Sequence, residues 1–127
     1  MSFSVEYREE TECIYVSVEG ELNLALFKEI SAEVGLCINK HKCSKILNDL
    51  RKAILTDSAG DIYYMPKQAL DAGIVRSIRR ALLVGGGFSE YRFMETVFVN
   101  QGNVVRLFND IDEAKEWLFG GRDSTES

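Results

Sequence analysis

The stretch Leu47–Gly60, L-N-D-L-R-K-A-I-L-T-D-S-A-G, decides the fold of this chain. It begins as a short apolar run typical of a buried strand, passes Asp49 and Asp57, and reaches Ser58, where a helical pattern starts. In open α/β sheets the working surface lies at the carboxyl ends of the strands, beside the helices that follow them. The stretch therefore predicts an α/β fold and a candidate site at a strand-to-helix turn.

Two short segments before this stretch predict an antiparallel pair of strands. Phe3–Arg8 and Cys13–Val18 each alternate apolar and polar residues, and a short polar turn joins them. The acidic first segment suits an edge strand, where charge discourages pairing with other chains. Gly20 is predicted to end the second strand, and Asn23 is predicted to cap the helix that follows.

Strand and helix patterns alternate over the rest of the chain. The third, fourth and fifth strands are predicted over Lys45–Leu50, Arg79–Val84 and Val104–Phe108. The second helix should kink or restart at Pro66, because proline inside a helix lacks the N–H that the helix needs. The third helix should begin directly after Ser89 as its N-cap. The order ββαβαβαβα predicts an α/β fold with a mixed five-stranded sheet.

The length and composition are those of one ordinary globular domain. The chain has 127 residues, of which 46% are hydrophobic and 28% are charged. We expect a domain over residues 1–119 and a flexible polar tail over residues 120–127. The net charge of −5 disfavours binding to nucleic acid, which needs a basic surface. No apolar run is long enough to span a bilayer.

The cysteines and the N-terminus predict a cytoplasmic protein. The N-terminal residues lack the basic and apolar regions of a secretory signal. Cys13, Cys37 and Cys43 are an odd set without the spacing of a disulfide framework, so we expect reduced thiols.

The order of elements and one motif resemble the STAS domain, the fold of the SpoIIAA-like anti-sigma-factor antagonists. That family carries D-L-S-G and then D-S-S-G, with the second Asp eight positions after the first. D-L-R-K at 49–52 and D-S-A-G at 57–60 keep this spacing. The resemblance implies a non-enzymatic regulatory module with a kinase or anti-sigma-like protein partner. It also implies phosphorylation at Ser58 and partner contacts at Asp57, Asp49 and Gly60.

Local chemistry at this turn supports the same residue but leaves a structural alternative open. A phosphate on Ser58 would lie at a helix N-terminus, where unpaired N–H groups and the helix dipole favour an anion. Asp57 or Ser58 could equally serve only as a helix cap.

The glycine-rich segment after the fourth strand is a second candidate site. Gly85, Gly86 and Gly87 precede a helix, and together with Ser89 they could form an anion-binding or partner-binding loop. No Lys-Ser/Thr pair follows them, so this is not a nucleotide-hydrolase phosphate loop. A flexible strand-to-helix turn is the structural alternative.

Aromatic and methionine side chains on the second and third helices are predicted to be mostly core. If the two helices splay, these side chains could instead line an apolar pocket or a homodimer face. The C-terminal half is similar to stand-alone SpoIIAA-like proteins, whose fold is similar to the lipid-binding CRAL-TRIO domain. A protein binding lipid or a small apolar molecule is therefore the alternative function. The candidate pocket residues are Tyr63, Met65, Tyr91, Met94 and Phe98.

Other clusters of reactive or charged residues carry weaker interpretations. Cys37, His41 and Cys43 lack an obvious fourth metal ligand, and no group is evident that would orient His41 for catalysis. Asp49 and Asp57 could form an acid–base pair, but polar residues at strand ends are common. We therefore predict no catalytic set, metal or cofactor. A set of arginines is predicted to form a solvated surface, with an anion site as the alternative: Arg76, Arg79, Arg80 and Arg92.

Overall fold

Strands and helices alternate in the predicted order ββαβαβαβα in the computed structural model, which describes residues 2–86 and 88–120. The strands are β1 (Ser2–Arg8), β2 (Cys13–Leu22), β3 (Lys45–Leu55), β4 (Arg79–Leu83) and β5 (Val104–Phe108). The helices are α1 (Leu24–His41), α2 (Ala59–Asp71), α3 (Phe88–Asn100) and α4 (Ile111–Phe119).

The strands form one mixed five-stranded sheet in the order β1-β2-β3-β4-β5. β1 pairs with β2 antiparallel, and every other neighbouring pair is parallel. β1 therefore occupies an edge, which confirms that prediction. The carboxyl ends of β3, β4 and β5 lie at the same end of the sheet because these strands are parallel.

Helices cover both faces of the sheet, because successive side chains of each buried strand point to opposite faces. Ile46 packs into a large core with side chains of α1, α2 and α3, whereas Leu47 packs with Ala114 and Leu118 of α4. The three consecutive helices thus share one face, and α4 lies on the other. Within residues 2–86 and 88–120, no helix combines the length and hydropathy needed to cross a membrane.

β2 and β3 are longer than predicted, and a β-bulge explains how they continue together. Ser17 pairs with Asp49 and Glu19 pairs with residue 52, so two residues of β3 lie opposite one residue of β2. The bulge shifts the alternation: Leu50, which lies within the bulge, and Ala53, three residues later, both pack on the α1–α3 face. Gly20 does not end β2. It lies within the strand at a φ of +93° and pairs with Ala53.

The helices also differ from prediction at two points. α2 passes through the buried Pro66 as one helix, so the predicted restart is wrong. α3 begins at Phe88, which places Ser89 inside the first turn and makes its assignment as N-cap wrong. By contrast, Asn23 does cap α1, since its Oδ1 accepts the Leu26 N–H at 2.9 Å.

α1 and α2 touch closely where glycine occurs in the middle of α1. Gly35 is buried, and a Cβ at this position would overlap the carbonyl oxygen of Ala72, the C-cap of α2. Gly73 follows at a φ of +100°, a conformation that favours glycine at the end of a helix. The absence of a side chain at Gly35 therefore sets the distance between the two helices.

The predicted tail falls largely outside the described part of the chain. Gly120 ends α4, with its N–H donating to the Glu116 carbonyl at 2.8 Å. Residues 121–127, and Gly87 of the glycine-rich segment, lie outside the described residues.

Candidate functional site

Ser58 lies exposed at the N-terminus of α2 as its N-cap. Its Oγ accepts the Asp61 N–H at 3.3 Å, and the helix begins at the next residue. Gly60 leaves open space in this first turn, since a Cβ there would meet only the Ser58 Oγ, at 3.9 Å. The hydroxyl is therefore accessible beside a set of helix N–H groups, which is an arrangement that accommodates a phosphate.

Asp57 precedes this cap and lies half-buried between the start of α1 and the start of α2. Its Oδ2 is buried without a hydrogen-bond partner among the described residues. Burial, and then the nearby Asp61, raise the pKa of the Asp57 carboxyl, while the Leu24 backbone N–H at the start of α1 lowers it. The Asp57 carboxylate thus faces the N-termini of α1 and α2, and one of its oxygens accepts no hydrogen bond from the described residues.

Asp49 is tied to an arginine of its own strand. Arg51 donates to its carboxylate through Nε at 2.9 Å, Nη2 at 2.8 Å and the backbone N–H at 3.2 Å. This hydrogen bonding, led by the Arg51 side chain, holds the pKa of Asp49 below its usual range. Arg51, which stands where the SpoIIAA-like motif has a small residue, therefore neutralises the first aspartate of the motif.

The structure does not bring Asp49 and Asp57 together. Asp49 lies in the middle of β3, and the strand continues from it to Leu55, a span of about 20 Å at 3.3 Å per residue. An acid–base mechanism that uses both carboxylates at once is therefore not supported.

The ion pair of Asp49 gives a prediction about pH. Asp49→Asn should lower the free energy of unfolding by about 0.5–1 kcal/mol at neutral pH, because the pair is partly exposed. A lowered carboxyl pKa stabilises the fold above the unfolded-state pKa, and this contribution disappears as the pH falls through the folded-state pKa. Urea denaturation of both proteins at about pH 7 and about pH 2.5 measures the difference.

A matched control separates this effect from a general change of charge. Asp71→Asn removes a more exposed pair with Lys67 and should change the stability less. An Asp49→Asn difference that stayed the same at both pH values would contradict the role assigned to the carboxylate.

The glycine-rich segment meets β3 rather than Ser58. A Cβ at Gly85 would lie 3.2 Å from the Arg51 carbonyl oxygen, so the glycine allows close approach to β3. Gly86, with Glu90 and Tyr91 of α3, lines a cleft of about 450 Å³ along residues 51–55. Ser89 makes its contact with a side chain, since its Oγ donates to the Glu90 carboxylate at 3.5 Å.

The candidate pocket residues fall into three groups. Met94 and Phe98 line a cavity of about 60 Å³ between the sheet and the helices α1, α2 and α3. Met65 and Tyr91 are buried in the same core but are not among the lining residues. Tyr63 is 64% exposed.

Arg80 is a residue whose environment the sequence interpretation missed. It is only 5% exposed and lines the cavity, whereas its neighbour Arg79 lies over the Trp117 ring at 4.6 Å beside α4. The signal that could have found it is the alternation of β4: Arg80 and Leu82 share the face that the three helices cover. The expectation of a solvated surface is therefore wrong for Arg80.

Within the group Cys37, His41 and Cys43, His41 and Cys43 each make separate contacts with other parts of the fold. The His41 ring stacks on Tyr7, with centroids 3.9 Å apart. The Cys43 thiol donates to backbone carbonyls at 3.2 and 3.3 Å. Burial raises the pKa of the Cys13 thiol to about 12, which disfavours the nucleophilic thiolate. No three His, Cys, Asp or Glu side chains converge as metal ligands among the residues that the structure describes.

Comparisons with known proteins place the fold. No family model matches the chain, and no curated protein is significantly similar to it in sequence. The structure is similar to that of the anti-sigma factor antagonist SpoIIAA in its unphosphorylated form, with 17% identity, a TM-score of 0.56, and 94% of this chain and 99% of that chain covered. The Bacillus cell fate determinant SpoIIAA in its phosphorylated form gives 15% identity, a TM-score of 0.57, and coverage of 91% and 99%.

Two further solved structures agree. An anti-sigma factor antagonist from Mycobacterium paratuberculosis has 13% identity and a TM-score of 0.60, with 92% of this chain and 94% of that chain covered. An uncharacterised DUF3478 protein with a SpoIIAA-like fold from Shewanella loihica has 16% identity and a TM-score of 0.60, with 92% of each chain covered. The chain therefore has the SpoIIAA-like fold of the STAS domain.

Proposed function

We propose that this protein is a non-enzymatic, cytoplasmic regulatory module that binds a protein partner and is switched by phosphorylation at Ser58. The observation that carries the proposal is the exposed Ser58 hydroxyl at the N-terminus of α2, within a fold shared with anti-sigma factor antagonists. One of those antagonists, SpoIIAA, has been solved in phosphorylated and unphosphorylated forms. The partner would be a kinase or an anti-sigma-like protein.

Charge explains how a phosphate could act as a switch at this position. A phosphoserine adds a charge of about −1.5 to −2 beside Asp57 and Asp61. The helix N-terminus favours the phosphate, so the fold can retain it. The same group would repel an acidic partner surface and attract a basic one, which changes partner choice without unfolding the domain.

Exposed aromatic side chains near Ser58 supply the apolar part of the partner surface. Tyr63 and Tyr64 lie in the first turns of α2 and are 64% and 61% exposed. Tyrosine is enriched among the residues that contribute most to protein–protein binding. The same surface is the one that a homodimer would use.

Partner capture with Ser58 variants tests the switch. Wild type and Ser58→Ala should retain the partner, whereas Ser58→Asp should lose or exchange it, because only Asp adds negative charge. Ser58→Ala also removes the cap and should lower stability by about 1 kcal/mol. Thermal denaturation of each variant shows that capture compares folded proteins.

Ser77→Asp is the matched control. It adds the same charge at an exposed serine just before β4, at the opposite end of the sheet from Ser58, and should leave the captured proteins unchanged. Identical partners for wild type, Ser58→Ala and Ser58→Asp would refute the switch.

The internal cavity favours one second candidate, a protein that binds a small apolar molecule or lipid. Met94 and Phe98 are the predicted pocket residues that line it. Native mass spectrometry with and without added ligand tests this function. Failure to retain any added apolar molecule would contradict it.

A further inference from the structure

Arg80 combines two properties that rarely occur together: it is almost completely buried, and it has no acidic partner among the residues that the structure describes. Its exposed fraction is 5%, and no Asp or Glu forms an ion pair with it within residues 2–86 and 88–120. Burial lowers the pKa of Arg80 to about 10, so the guanidinium still carries its charge at neutral pH. Buried charges are normally paired, because removing a charge from water is costly.

Neutral groups satisfy only part of the guanidinium. Nε donates to the Ile78 carbonyl at 3.2 Å, and Nη2 donates to the Asn103 Oδ1 at 2.6 Å. Nη1 is buried and has no hydrogen-bond acceptor among the described residues. Asn103 is held in turn by the Phe98 carbonyl, to which its Nδ2 donates at 3.0 Å. Two hydrogen bonds therefore fix the position of the Arg80 side chain, and its Nη1 donor has no acceptor among the described residues.

The unsatisfied arginine belongs to the wall of the cavity. Most lining residues are apolar, and Ser31, Asn48 and Arg80 are the polar ones. Asn48 directs its Nδ2 to the Ala81 carbonyl at 3.2 Å, which fixes its amide in the sheet. An apolar cavity with a few fixed polar groups is the usual composition of a small-molecule site.

We propose that this cavity binds a small carboxylate with a short apolar body, and that the Arg80 guanidinium recognises the carboxylate. The inference rests on the second candidate function, ligand binding, and adds the charge and size of the ligand. A carboxylate accepts charge-assisted hydrogen bonds from guanidinium and supplies the missing counter-charge. The apolar lining takes up the rest of the molecule.

The size of the cavity limits the ligand. About 60 Å³ is room for several water-sized groups, since one water needs roughly 10–15 Å³ by this measure. A straight or branched chain of about four or five carbons fits this space, whereas a long-chain fatty acid exceeds it.

Titration of the full chain with two matched series tests the proposal. Straight-chain carboxylates of two to ten carbons and primary alcohols of the same lengths are added, and binding is followed by calorimetry and by methyl NMR signals of Leu82 and Met94. We expect saturable carboxylate binding that is tightest near four or five carbons. The alcohols should bind roughly 10- to 100-fold more weakly, because a charged hydrogen bond is lost.

Neighbouring arginines provide the variant and its control. Arg80→Gln should weaken carboxylate binding roughly 10- to 100-fold, and Arg79→Gln, on the opposite face of β4, should leave it unchanged. If Arg80→Gln does not fold, the comparison of carboxylate and alcohol binding to the wild-type protein tests the proposal. Equal binding of both series would overturn the anion site while leaving apolar binding intact, and binding of neither series would overturn both.

Discussion

Gly35→Ala should lower the free energy of unfolding by about 3 kcal/mol, because it places a methyl group where two helices touch. The new Cβ overlaps the carbonyl oxygen of Ala72 and lies 3.0 Å from its carbonyl carbon. Both atoms are backbone, so no side chain can rotate away, and α1 and α2 must separate. The better helix propensity of alanine recovers at most about 1 kcal/mol of this loss.

Urea denaturation followed by circular dichroism measures the change, and Gly60→Ala is the matched control. Gly60 lies in the first turn of α2, and the nearest atom to a Cβ there is the Ser58 Oγ at 3.9 Å. This substitution should leave stability unchanged or raise it by up to about 1 kcal/mol. Similar losses for the two variants would show that the α1–α2 contact does not set the helix spacing.

The same contact bears on Ser58. Gly35 touches the C-terminal end of α2, and Ser58 caps its N-terminal end. A displaced α2 would move the cap relative to Asp57, which faces the start of α1. If Ser58 is the proposed switch, a Gly35→Ala protein that still folds should retain less partner than wild type in the same capture experiment, even though Gly35 lies far along the chain from Ser58.

Local patterns were sufficient to predict the order of elements and the starts of α1 and α2. Alternation and helical periodicity depend on neighbouring residues, and so do caps such as Asn23 and Ser58. The edge position of β1 followed from its charge and its short connection to β2. These features need no knowledge of distant parts of the chain.

The length of β3 could not be predicted in the same way. The predicted strand ended at Leu50, but the segment continues as a strand to Leu55 because β2 extends beside it. The bulge changes which residues face the core, so a simple alternation fails there. Gly20 was misleading for the same reason, since its positive φ is accommodated inside a paired strand.

The candidate site was predictable only in part. Ser58 was identified as a position at a helix N-terminus, and the structure places it there as the cap. The Asp49–Arg51 pair joins two residues that share one face of β3, whereas the burial of Arg80 depends on three helices meeting over the other face of the sheet. From the sequence alone, a charged residue in a strand is interpreted as facing solvent, because the sequence does not show which face of the sheet the helices cover.

Asn103→Ala should lower the free energy of unfolding by about 2–3 kcal/mol, because it removes the one side-chain hydrogen-bond acceptor that the described residues offer to the buried Arg80 cation. The substitution leaves Nη2 of Arg80 unsatisfied in addition to Nη1. The backbone N–H of residue 103 donates to the Phe98 carbonyl at 3.1 Å, and the substitution leaves this hydrogen bond in place. The loss of stability should therefore come mainly from the unsatisfied guanidinium. Asn109→Ala, at an exposed asparagine beyond the end of β5, should change stability by less than about 0.5 kcal/mol.

A double-mutant cycle isolates the interaction between Arg80 and Asn103. Arg80→Met removes the charge itself, and with it the need for a partner, so it should cost less than Asn103→Ala. In the Arg80→Met background, Asn103→Ala should then have an effect at least about 1 kcal/mol smaller than in wild type. Additive losses would mean that Asn103 stabilises the turn before β5 independently of Arg80. A strong coupling would instead mean that Asn103 stabilises the protein mainly by positioning the Arg80 guanidinium, whose Nη1 has no acceptor among the described residues.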